Sequence, residues 1–303
     1  MIKILICICT FNRNKSLIEC LNSIKKLKNI NKFDVKILIL DNSKLNNSFK
    51  IIKNYKKKNN LDILQHSEKK RGIVNARNKC LKISKTIKPE HIAFIDDDCR
   101  VDKNWLRNIF NLLKKIDADV ITGPQKYEHE NKTIKNNYSS IFEKNYKDKV
   151  VKVKWAASNN VFFKYDILKS IKDIKFDKNL NKFGIGEDQL FFSLIEQKGY
   201  KIYWSKNIFV TEKIHNHRTD IQWIKNRSER LGVLGHYLDI KLHGKITGYI
   251  LNYLKSIYFI FLFIINYINF LNINRSIDST NYFYRFYGKI IGPFKIKKID
   301  FLK

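Results

Sequence analysis

Three consecutive aspartates, Asp96-Asp97-Asp98, are the residues of this sequence whose type and spacing best suit chemistry. They follow a largely apolar run, His91 to Ile95, of the kind that forms a buried strand. Three carboxylates at a strand end repel one another unless a cation or a hydrogen-bond network holds them. Oxygen ligands of this kind suit Mg²⁺ or Mn²⁺, which in turn suit a diphosphate. The ordinary alternative is a solvated acidic turn that precedes a helix.

Two further polar clusters stand directly after apolar runs of strand length. Thr10–Asn12 follows the run Ile4–Cys9, and Asp41–Ser43 follows Lys36–Leu40. Segments with helical spacing of apolar residues separate these runs. The alternation predicts an α/β fold with a doubly wound, mostly parallel sheet. Because ligands of such sheets bind beyond the carboxyl ends of the strands, the three polar clusters are expected to lie together.

The composition sets limits on the class of protein. A chain of 303 residues favours one large α/β domain with an appendage. The formal net charge of +31 would attract nucleic acid, anionic lipid or phosphorylated substrates. Lys, Asn and Ile crowd every segment, however, so compositional drift explains most of the charge, and no Arg-rich block or zinc-finger spacing indicates nucleic acid.

The cysteines indicate a reducing compartment, and the start of the chain indicates a strand. Five cysteines without a C-x-x-C pair predict neither a disulfide framework nor a structural zinc site. The apolar start, Ile4–Cys9, is expected to be a buried strand rather than a signal peptide, since it lacks a long apolar stretch and a small-residue cleavage site.

The C-terminal third differs from the rest. Ser256–Asn274 is a stretch of 19 residues without a charged side chain, which length and composition allow to span a membrane. Both flanks are basic, and a single span would place one of them outside, against the positive-inside tendency. We therefore predict an in-plane or re-entrant helix pair anchored by basic and Tyr residues, with a true span and a buried core helix as alternatives.

Six segments, taken in order, carry a resemblance to a known family. They are Ile6–Arg13, Leu40–Ser43, Arg71–Asn78, Phe94–Asp98, Ala157–Phe162 and Gly186–Phe191. Each segment is weak alone, but together, over roughly residues 2–235, they resemble the family 2 glycosyltransferases with the glycosyltransferase-A fold. The resemblance implies a Rossmann-like nucleotide-binding sheet and a catalytic domain over residues 1–215. Residues 216–303 are then expected to form a helical, membrane-associated region.

For the site, the resemblance implies metal-dependent, inverting transfer of a sugar from a nucleotide-sugar donor. The acceptor would be a glycan or a polyprenyl-pyrophosphate-linked saccharide in surface polysaccharide biosynthesis, at the cytoplasmic face of the plasma membrane. Asp98 and Asp96 would hold Mn²⁺ or Mg²⁺ on the diphosphate. Asp188, next to Glu187, would be the single base that takes the proton of the acceptor hydroxyl. The implied donor contacts are Thr10, Asn12, Arg13, Asp41, Arg71, Arg77, Asp96 and Asp97, with Asp41 accepting from the ring imide of uracil or thymine.

Alternatives remain at several of these positions. Glu187 and Asp188 also suit the acidic first turn of a helix. On the acceptor side, Asn160 is implied by the resemblance, and Trp223 with Arg227 would grip a pyrophosphate beside the bilayer or would merely pack a surface helix. His215 and His217 would add a metal ligand or would simply be exposed.

Two other functions compete with glycosyl transfer. A nucleotidyltransferase on a similar fold would need a Gly-rich loop after the first strand, and Thr10–Asn14 contains no glycine. A non-catalytic basic protein that binds membrane or nucleic acid would explain the charge but not three polar clusters at strand ends. Residues 125–150 have little periodicity and predict a long loop or a loose insertion, which could cover an acceptor.

Overall fold

The computed structural model describes residues 1–129, 146–214, 216–268 and 273–297. They belong to two compact units, each described here by itself. The first contains Met1–Lys126 and Asn145–Glu212, and the second contains Tyr127–Lys144 and Lys213–Lys303. The catalytic role predicted for 1–215 and the membrane-associated role predicted for 216–303 stay predictions.

The first part of the chain alternates strands and helices, as the apolar pattern predicts. Its elements are β1 (Lys3–Thr10), α1 (Asn14–Lys25), β2 (Asp34–Asp41), α2 (Ser48–Lys58), β3 (Asp62–Ser67), α3 (Ile73–Ile87) and β4 (His91–Ile95). The central residues of β1, β2 and β4 are buried, because helices and neighbouring strands cover them.

The described elements that follow β4, as far as Ile214, are shorter. They are β5 (Cys99–Val101), α4 (Trp105–Leu113), β6 (Val120–Thr122), β7 (Gln125–His129), β8 (Val150–Lys152), β9 (Asn160–Lys164), α5 (Asp166–Ser170), α6 (Glu187–Gln197), β10 (Ile202–Ser205) and β11 (Val210–Ile214). The predicted loop over 125–150 is therefore wrong at both ends, where β7 and β8 form. Residues 130–145 lie outside the described part of the chain.

The strands form two sheets. The large one has the order β3-β2-β1-β4-β9-β6-β10-β8, and β5, β11 and β7 form a smaller one. Four of the seven neighbouring pairs in the large sheet are parallel, and β9 and β8 supply the antiparallel ones. The predicted doubly wound, mostly parallel sheet is thus confirmed. The chain proceeds outward from β1 to β3 and then returns to place β4 on the other side of β1, so a crevice opens between the ends of β1 and β4.

The core on one face of the large sheet joins α1 and α4 to the central strands. Leu17, Leu21 and Ile24 of α1 pack in the same cluster as Ile6 and Ile8 of β1. Burial of each such side chain contributes about 1.5–3 kcal/mol. This packing fixes the directions of the strand ends on which the polar clusters stand.

The second unit is built on three long helices. They are α7 (Ile221–His243), α8 (Lys245–Ile268) and α9 (Ile273–Lys297), and α9 contacts both of the others. By length and composition alone, α8 qualifies as a membrane span within the part of the chain described. The uncharged stretch 256–274 contains the end of α8, up to Ile268, and the start of α9, from Ile273. The in-plane arrangement of the helix pair stays a prediction.

Candidate active site

Hydrogen bonds to the acidic triplet connect the end of β4 to the end of β1. Thr10, the last residue of β1, donates from Oγ1 to Oδ2 of Asp97 at 2.7 Å. Arg13, just before α1, donates from Nη1 to Oδ1 of Asp97 at 3.2 Å and to Oδ2 of Asp98 at 2.6 Å. The carboxylates that follow β4 are therefore held by the segment that follows β1, which brings two of the three predicted clusters together.

The three aspartates have different environments. Asp97 is buried, and burial raises its pKa to about 7 against the opposing charge of Arg13. The side chains of Asp96 and Asp98 are 37% and 20% exposed. Asp97 therefore has a structural role and holds the ends of β1 and β4 together. Asp96 and Asp98, two positions apart, are the carboxylates that a ligand in solution can reach.

Arg77 on α3 joins the acidic triplet to α6. It is buried, and its Nη2 donates to Oδ1 of Asp96 at 3.1 Å while its Nη1 donates to Oε1 of Glu187. Burial opposes the charged form, but the carboxylates of Glu187 and Asp96 outweigh it and raise the pKa of Arg77. The guanidinium also lies over the ring of Phe176, with 5.9 Å to the centroid. One buried cation thus fixes the spacing between two predicted site segments.

Glu187 and Asp188 occupy the first turn of α6. The residue that begins this helix is Gly186, with φ +85°, so neither carboxylate is the N-cap. Glu187 is buried, and burial raises its pKa against the opposing charge of Arg77. Asp188 is half-buried and accepts at Oδ2 from the backbone N–H of Ser158 at 3.1 Å, which ties α6 to the segment before β9.

The third polar cluster is held by hydrogen bonds within its own loop. Asp41 is buried and accepts at Oδ1 from the N–H of Ser43 at 2.8 Å. Its Oδ2 accepts from both the N–H and the Oγ of Ser48, at 2.9 and 2.7 Å. These bonds lower its pKa although burial opposes them. Asp41 therefore fixes the start of α2, and its predicted contact with a nucleobase stays a prediction.

Asn42 connects that loop to the start of α3. Its amide donates to the carbonyl oxygens of Glu68 and Lys70 and accepts from the N–H of Gly72 at 2.7 Å. Gly72 has φ +121°, and a Cβ there would lie 1.9 Å from Oδ1 of Asn181. The backbone angle favours glycine at this position, and a side chain there would also displace the amide of Asn181.

Arg71 and Asn12 reach the same edge of the sheet. The carbonyl of Arg71 accepts from Nδ2 of Asn181 at 2.9 Å, and its guanidinium lies 5.2 Å from the ring centroid of Phe11. Asn12 has φ +57° and accepts at its side chain from Asn47 at 2.8 Å. The predicted donor-binding residues therefore stand on loops that are cross-linked to one another.

The residues predicted for the acceptor side are placed differently. Asn160 has no exposed surface; it accepts from Nε1 of Trp105 at 2.8 Å and donates to the carbonyl of Ile208 at 2.8 Å. Its position thus supports the core and gives no support to a direct acceptor contact. Trp223 and Arg227 lie on α7, in the second unit. His215 and the side chain of His217 lie outside the described residues.

Sequence reasoning missed several residues that hold this site. Asn159 donates to the side-chain oxygen of Gln125, which donates in turn to Oε2 of buried Glu212. Asn181 and the backbone of Ser158 support Gly72 and Asp188. No local pattern marks these residues, because their partners are at least 30 positions away along the chain.

A metal ion at this site would need oxygens of a bound diphosphate as ligands, in addition to the carboxylates of the protein. Within the described residues, no group of three or more His, Cys, Asp or Glu side chains is arranged to hold an ion. Mg²⁺ and Mn²⁺ at phosphate sites are commonly held by one or two carboxylates, with phosphate and water oxygens completing the shell. Asp96 gives only one oxygen to Arg77 and is partly exposed, so it and Asp98 fit an ion that arrives with a nucleotide.

The fold and the acidic strand end beside its crevice define the glycosyltransferase-A class. The family model for glycosyl transferase family 2 matches residues 5–172, more than half of the chain, and the chain belongs to this family. It is 28% identical over 213 residues to TarP of Staphylococcus aureus, a poly(ribitol-phosphate) β-N-acetylglucosaminyltransferase, covering 67% of this chain and 60% of TarP. It is 25% identical over 239 residues to the succinoglycan biosynthesis protein ExoM of Rhizobium meliloti, covering 78% and 75%.

Solved structures show the same fold. The mannosyltransferase PcManGT from Pyrobaculum calidifontis, in complex with GDP-Man and Mn²⁺, has a TM-score of 0.63 at 13% identity, covering 97% of this chain and 87% of that one. S. aureus TarS 1–349 in complex with UDP-GlcNAc has a TM-score of 0.51 at 19% identity, covering 80% and 70%.

Proposed function

We propose that the protein transfers a sugar, with inversion and with a divalent metal, from a nucleotide-sugar donor to a glycan or a lipid-linked saccharide in surface polysaccharide biosynthesis. Family membership supports the reaction type. The printed names of the relatives, a poly(ribitol-phosphate) β-N-acetylglucosaminyltransferase and a succinoglycan biosynthesis protein, support a glycan acceptor.

The contact that carries the proposal is the bridge made by Arg77. Its guanidinium holds Asp96 of the acidic triplet and Glu187 of the α6 start at the same time. These two segments must stand together in a glycosyltransferase, since one receives the leaving diphosphate and the other carries the base. Neither a helix cap nor a solvated acidic turn requires such a bridge, in which Arg77 and Glu187 are 110 positions apart in the sequence.

The chemistry follows from these positions. The bond between the sugar C1 and the phosphate oxygen breaks, a bond from the acceptor oxygen to C1 forms, and the acceptor proton passes to the carboxylate of Asp188. The leaving diphosphate gains negative charge, which the exposed guanidinium of Arg13 and that of Arg71 are placed to stabilise. Mn²⁺ or Mg²⁺ held by Asp96 and Asp98 supplies further positive charge to the diphosphate when it is bound. Thr10, Asn12 and the Asp41 loop shape the nucleoside side.

We further propose that the second unit holds the enzyme on the anionic cytoplasmic face of the membrane, peripherally or shallowly. Much of the apolar surface of α8 is exposed, including Ile250, Tyr253 and Phe261. Lys241 and Lys245 at the junction of α7 and α8 offer charge to anionic lipid, about 1 kcal/mol each near the surface. An amphipathic helix with these properties favours a position in the plane of the bilayer.

A donor screen tests the reaction. The purified protein is incubated with UDP-, GDP- and dTDP-sugars and a glycan or lipid-linked acceptor, with and without EDTA, and release of the nucleoside diphosphate is measured together with the glycosylated product. We expect one donor class to be consumed, with product formation lost in EDTA and restored by Mn²⁺ or Mg²⁺. In a parallel incubation with nucleoside triphosphates and a sugar phosphate, consumption of the triphosphate with pyrophosphate release would instead show a nucleotidyltransferase.

A further inference from the structure

The turn before β9 carries three polar side chains in a row, and each has a different environment. Ser158 and Asn160 have no exposed surface, whereas Asn159 between them is half-buried. The amide of Asn160 is engaged inside the core, by Nε1 of Trp105 and by the carbonyl of Ile208. Asn159 is therefore the member of this turn whose side chain a ligand can reach.

This turn lies beside both the predicted base and the acidic triplet. The N–H of Ser158 donates to Oδ2 of Asp188 at 3.1 Å, which places the next residue, Asn159, beside the base. At the end of β4, the register pairs Ile95 with the first residue of β9, so the next residues outward are Asp96 and Asn159. A sugar that stands between the diphosphate site and the base would therefore lie next to Asn159.

A chain of hydrogen bonds fixes the direction in which the amide of Asn159 is turned. A carboxylate has only acceptor oxygens, so Gln125 on β7 turns its NH₂ group toward Oε2 of Glu212 on β11. The same NH₂ group reaches Sγ of Cys99 at 3.8 Å. The Oε1 of Gln125 then accepts from Nδ2 of Asn159. Asn159 consequently uses its donor side within the protein and turns Oδ1 away from this chain.

The Oδ1 of Asn159 is open to a ligand of one chemical kind. It has no hydrogen-bond partner among the described residues and is not sealed from solvent, in contrast to the buried Oγ of Ser158. An amide oxygen carries partial negative charge, so it attracts an O–H donor and repels an anionic group. The atom therefore suits a neutral hydroxyl and does not suit a phosphate or a carboxylate.

Its link to the base indicates which sugar supplies that hydroxyl. Asn159 is joined to Asp188 through the backbone of the preceding residue, whose N–H holds the carboxylate. Its relation to Asp96 is one of strand register alone. The position of Asn159 is thus fixed most directly to the group that receives the acceptor proton, which favours the acceptor sugar over the donor sugar.

We propose that Asn159 determines acceptor specificity by accepting, at Oδ1, a hydrogen bond from the hydroxyl next to the one that attacks. The attacking hydroxyl gives its proton to Asp188, while its neighbour on the adjacent sugar carbon donates to Asn159. Glu212 and Gln125 keep the amide turned for this contact. The acceptor is then a saccharide with free hydroxyls on two adjacent carbons. The inference rests on the proposed function and adds this requirement to the acceptor.

Transfer kinetics of the full chain with deoxygenated acceptors test this contact. The reference is the saccharide that gives product in the donor screen, prepared as its octyl glycoside, and the linkage of the product identifies the attacking hydroxyl. In the wild type, an analogue that lacks the adjacent hydroxyl should have a kcat/KM lower by about 3- to 10-fold, the effect of one neutral hydrogen bond. Asn159→Ala should lower kcat/KM for the reference acceptor by a similar factor and should no longer distinguish the two acceptors.

Donor measurements and a matched control separate this role from others. Asn159→Ala should leave the affinity for the nucleotide sugar and its hydrolysis without acceptor unchanged, because the contact is made to the acceptor. A loss of either would assign Asn159 to the donor sugar and overturn the inference. The control is Asn108→Ala on α4, a half-buried asparagine that donates to the carbonyl of Asn207 at 2.8 Å, and it should keep the discrimination between the acceptors.

Thermal unfolding tests the orientation of the amide. Asn159→Asp places a carboxylate against Oε1 of Gln125, whose amide cannot turn while it donates to Glu212, so the melting temperature should fall further than in Asn159→Ala. Equal melting temperatures would contradict the orientation, and discrimination that survives in Asn159→Ala would contradict the contact. Sugar transfer that does not depend on Asn159 overturns this inference alone, whereas the absence of transfer from every nucleotide sugar overturns the proposed function.

Discussion

Replacing Arg77 with methionine removes the cation that joins the acidic triplet to α6. The side chains of Arg77 and Glu187 are each only 6% exposed, so the change leaves an uncompensated carboxylate in the interior. The Oε2 of Glu187 already has no hydrogen-bond partner among the described residues. Asp96 is 37% exposed and is screened by water, so it contributes little to the loss.

The expected magnitude follows from that burial. Removing one partner of a buried ion pair costs about 3–5 kcal/mol of unfolding free energy. If Glu187 is the group left uncompensated, Glu187→Gln in the Arg77→Met background should recover a part of this. We expect the double-mutant cycle to give a coupling of about 2–3 kcal/mol between the two positions. Lys169→Met breaks an exposed ion pair with Asp166 and is the control, with little expected change.

Urea unfolding followed by tryptophan fluorescence measures these differences. Three of the four tryptophans, Trp105, Trp155 and Trp204, belong to the first unit, so the signal reports mainly on the unit that holds the bridge. Two results would refute the argument that this bridge fixes the site. One is that the losses of unfolding free energy for Arg77→Met and Glu187→Gln simply add in the double variant. The other is that the loss for Arg77→Met is no larger than that for the control.

Three further predictions concern the metal, the nucleotide loop and the membrane. Asp98→Ala should abolish metal-dependent donor turnover while circular dichroism stays unchanged; near-normal turnover, or insensitivity of the wild type to EDTA, would remove the metal assignment. Asp41→Ala should weaken binding of the free nucleoside diphosphate in a calorimetric titration, because the loop before α2 loses three hydrogen bonds, and unchanged affinity would leave Asp41 with a purely structural role. Phe294→Cys, at a 69% exposed position on α9, should resist labelling by an impermeant reagent outside intact cells; labelling there would mean a true span and contradict the in-plane arrangement.

Much of the first unit could be predicted because its signals are local. Continuous apolar runs gave β1, β2 and β4, and their order along the chain gave the crevice beside Asp97. The polar clusters were found for the same reason, since a carboxylate directly after a buried run is visible without knowledge of its partners. The family resemblance then assigned roles that these patterns alone could not give.

The contacts that define the site depend on residues far apart in sequence, and these were not predictable. Arg77 was expected to add positive charge at the diphosphate, which stays a prediction, and no local pattern indicated that it would lie between Glu187 and Asp96. Asn160 was expected on the acceptor side, which stays a prediction, and no local pattern indicated that Trp105 and Ile208 would hold its amide inside the core. A polar residue in a motif does not show whether its partner will be a ligand or the protein itself.

Short strands and the bounds of the C-terminal helices were missed for a different reason. β5 and β8 have three residues each and are stabilised by pairing with β11 and β10, so little of their signal is local. The uncharged stretch 256–274 was taken as the apolar part of the expected helix pair because charge was the criterion. The helix α8 begins earlier, at Lys245, where polar residues alternate with the apolar ones that remain exposed.

The central claim is that Asp188 takes the proton of the acceptor hydroxyl. Asp188→Asn keeps the shape of the side chain and can still accept from the N–H of Ser158, and Glu196→Gln at the other end of α6 is the matched control. With the donor identified, transfer to the acceptor and donor affinity are measured for both variants. We predict that Asp188→Asn loses transfer by roughly 10²–10⁴-fold with donor affinity unchanged. Retained transfer, or a loss of donor affinity in its place, would contradict the assignment and leave Glu187 and Asp188 as the acidic first turn of a helix.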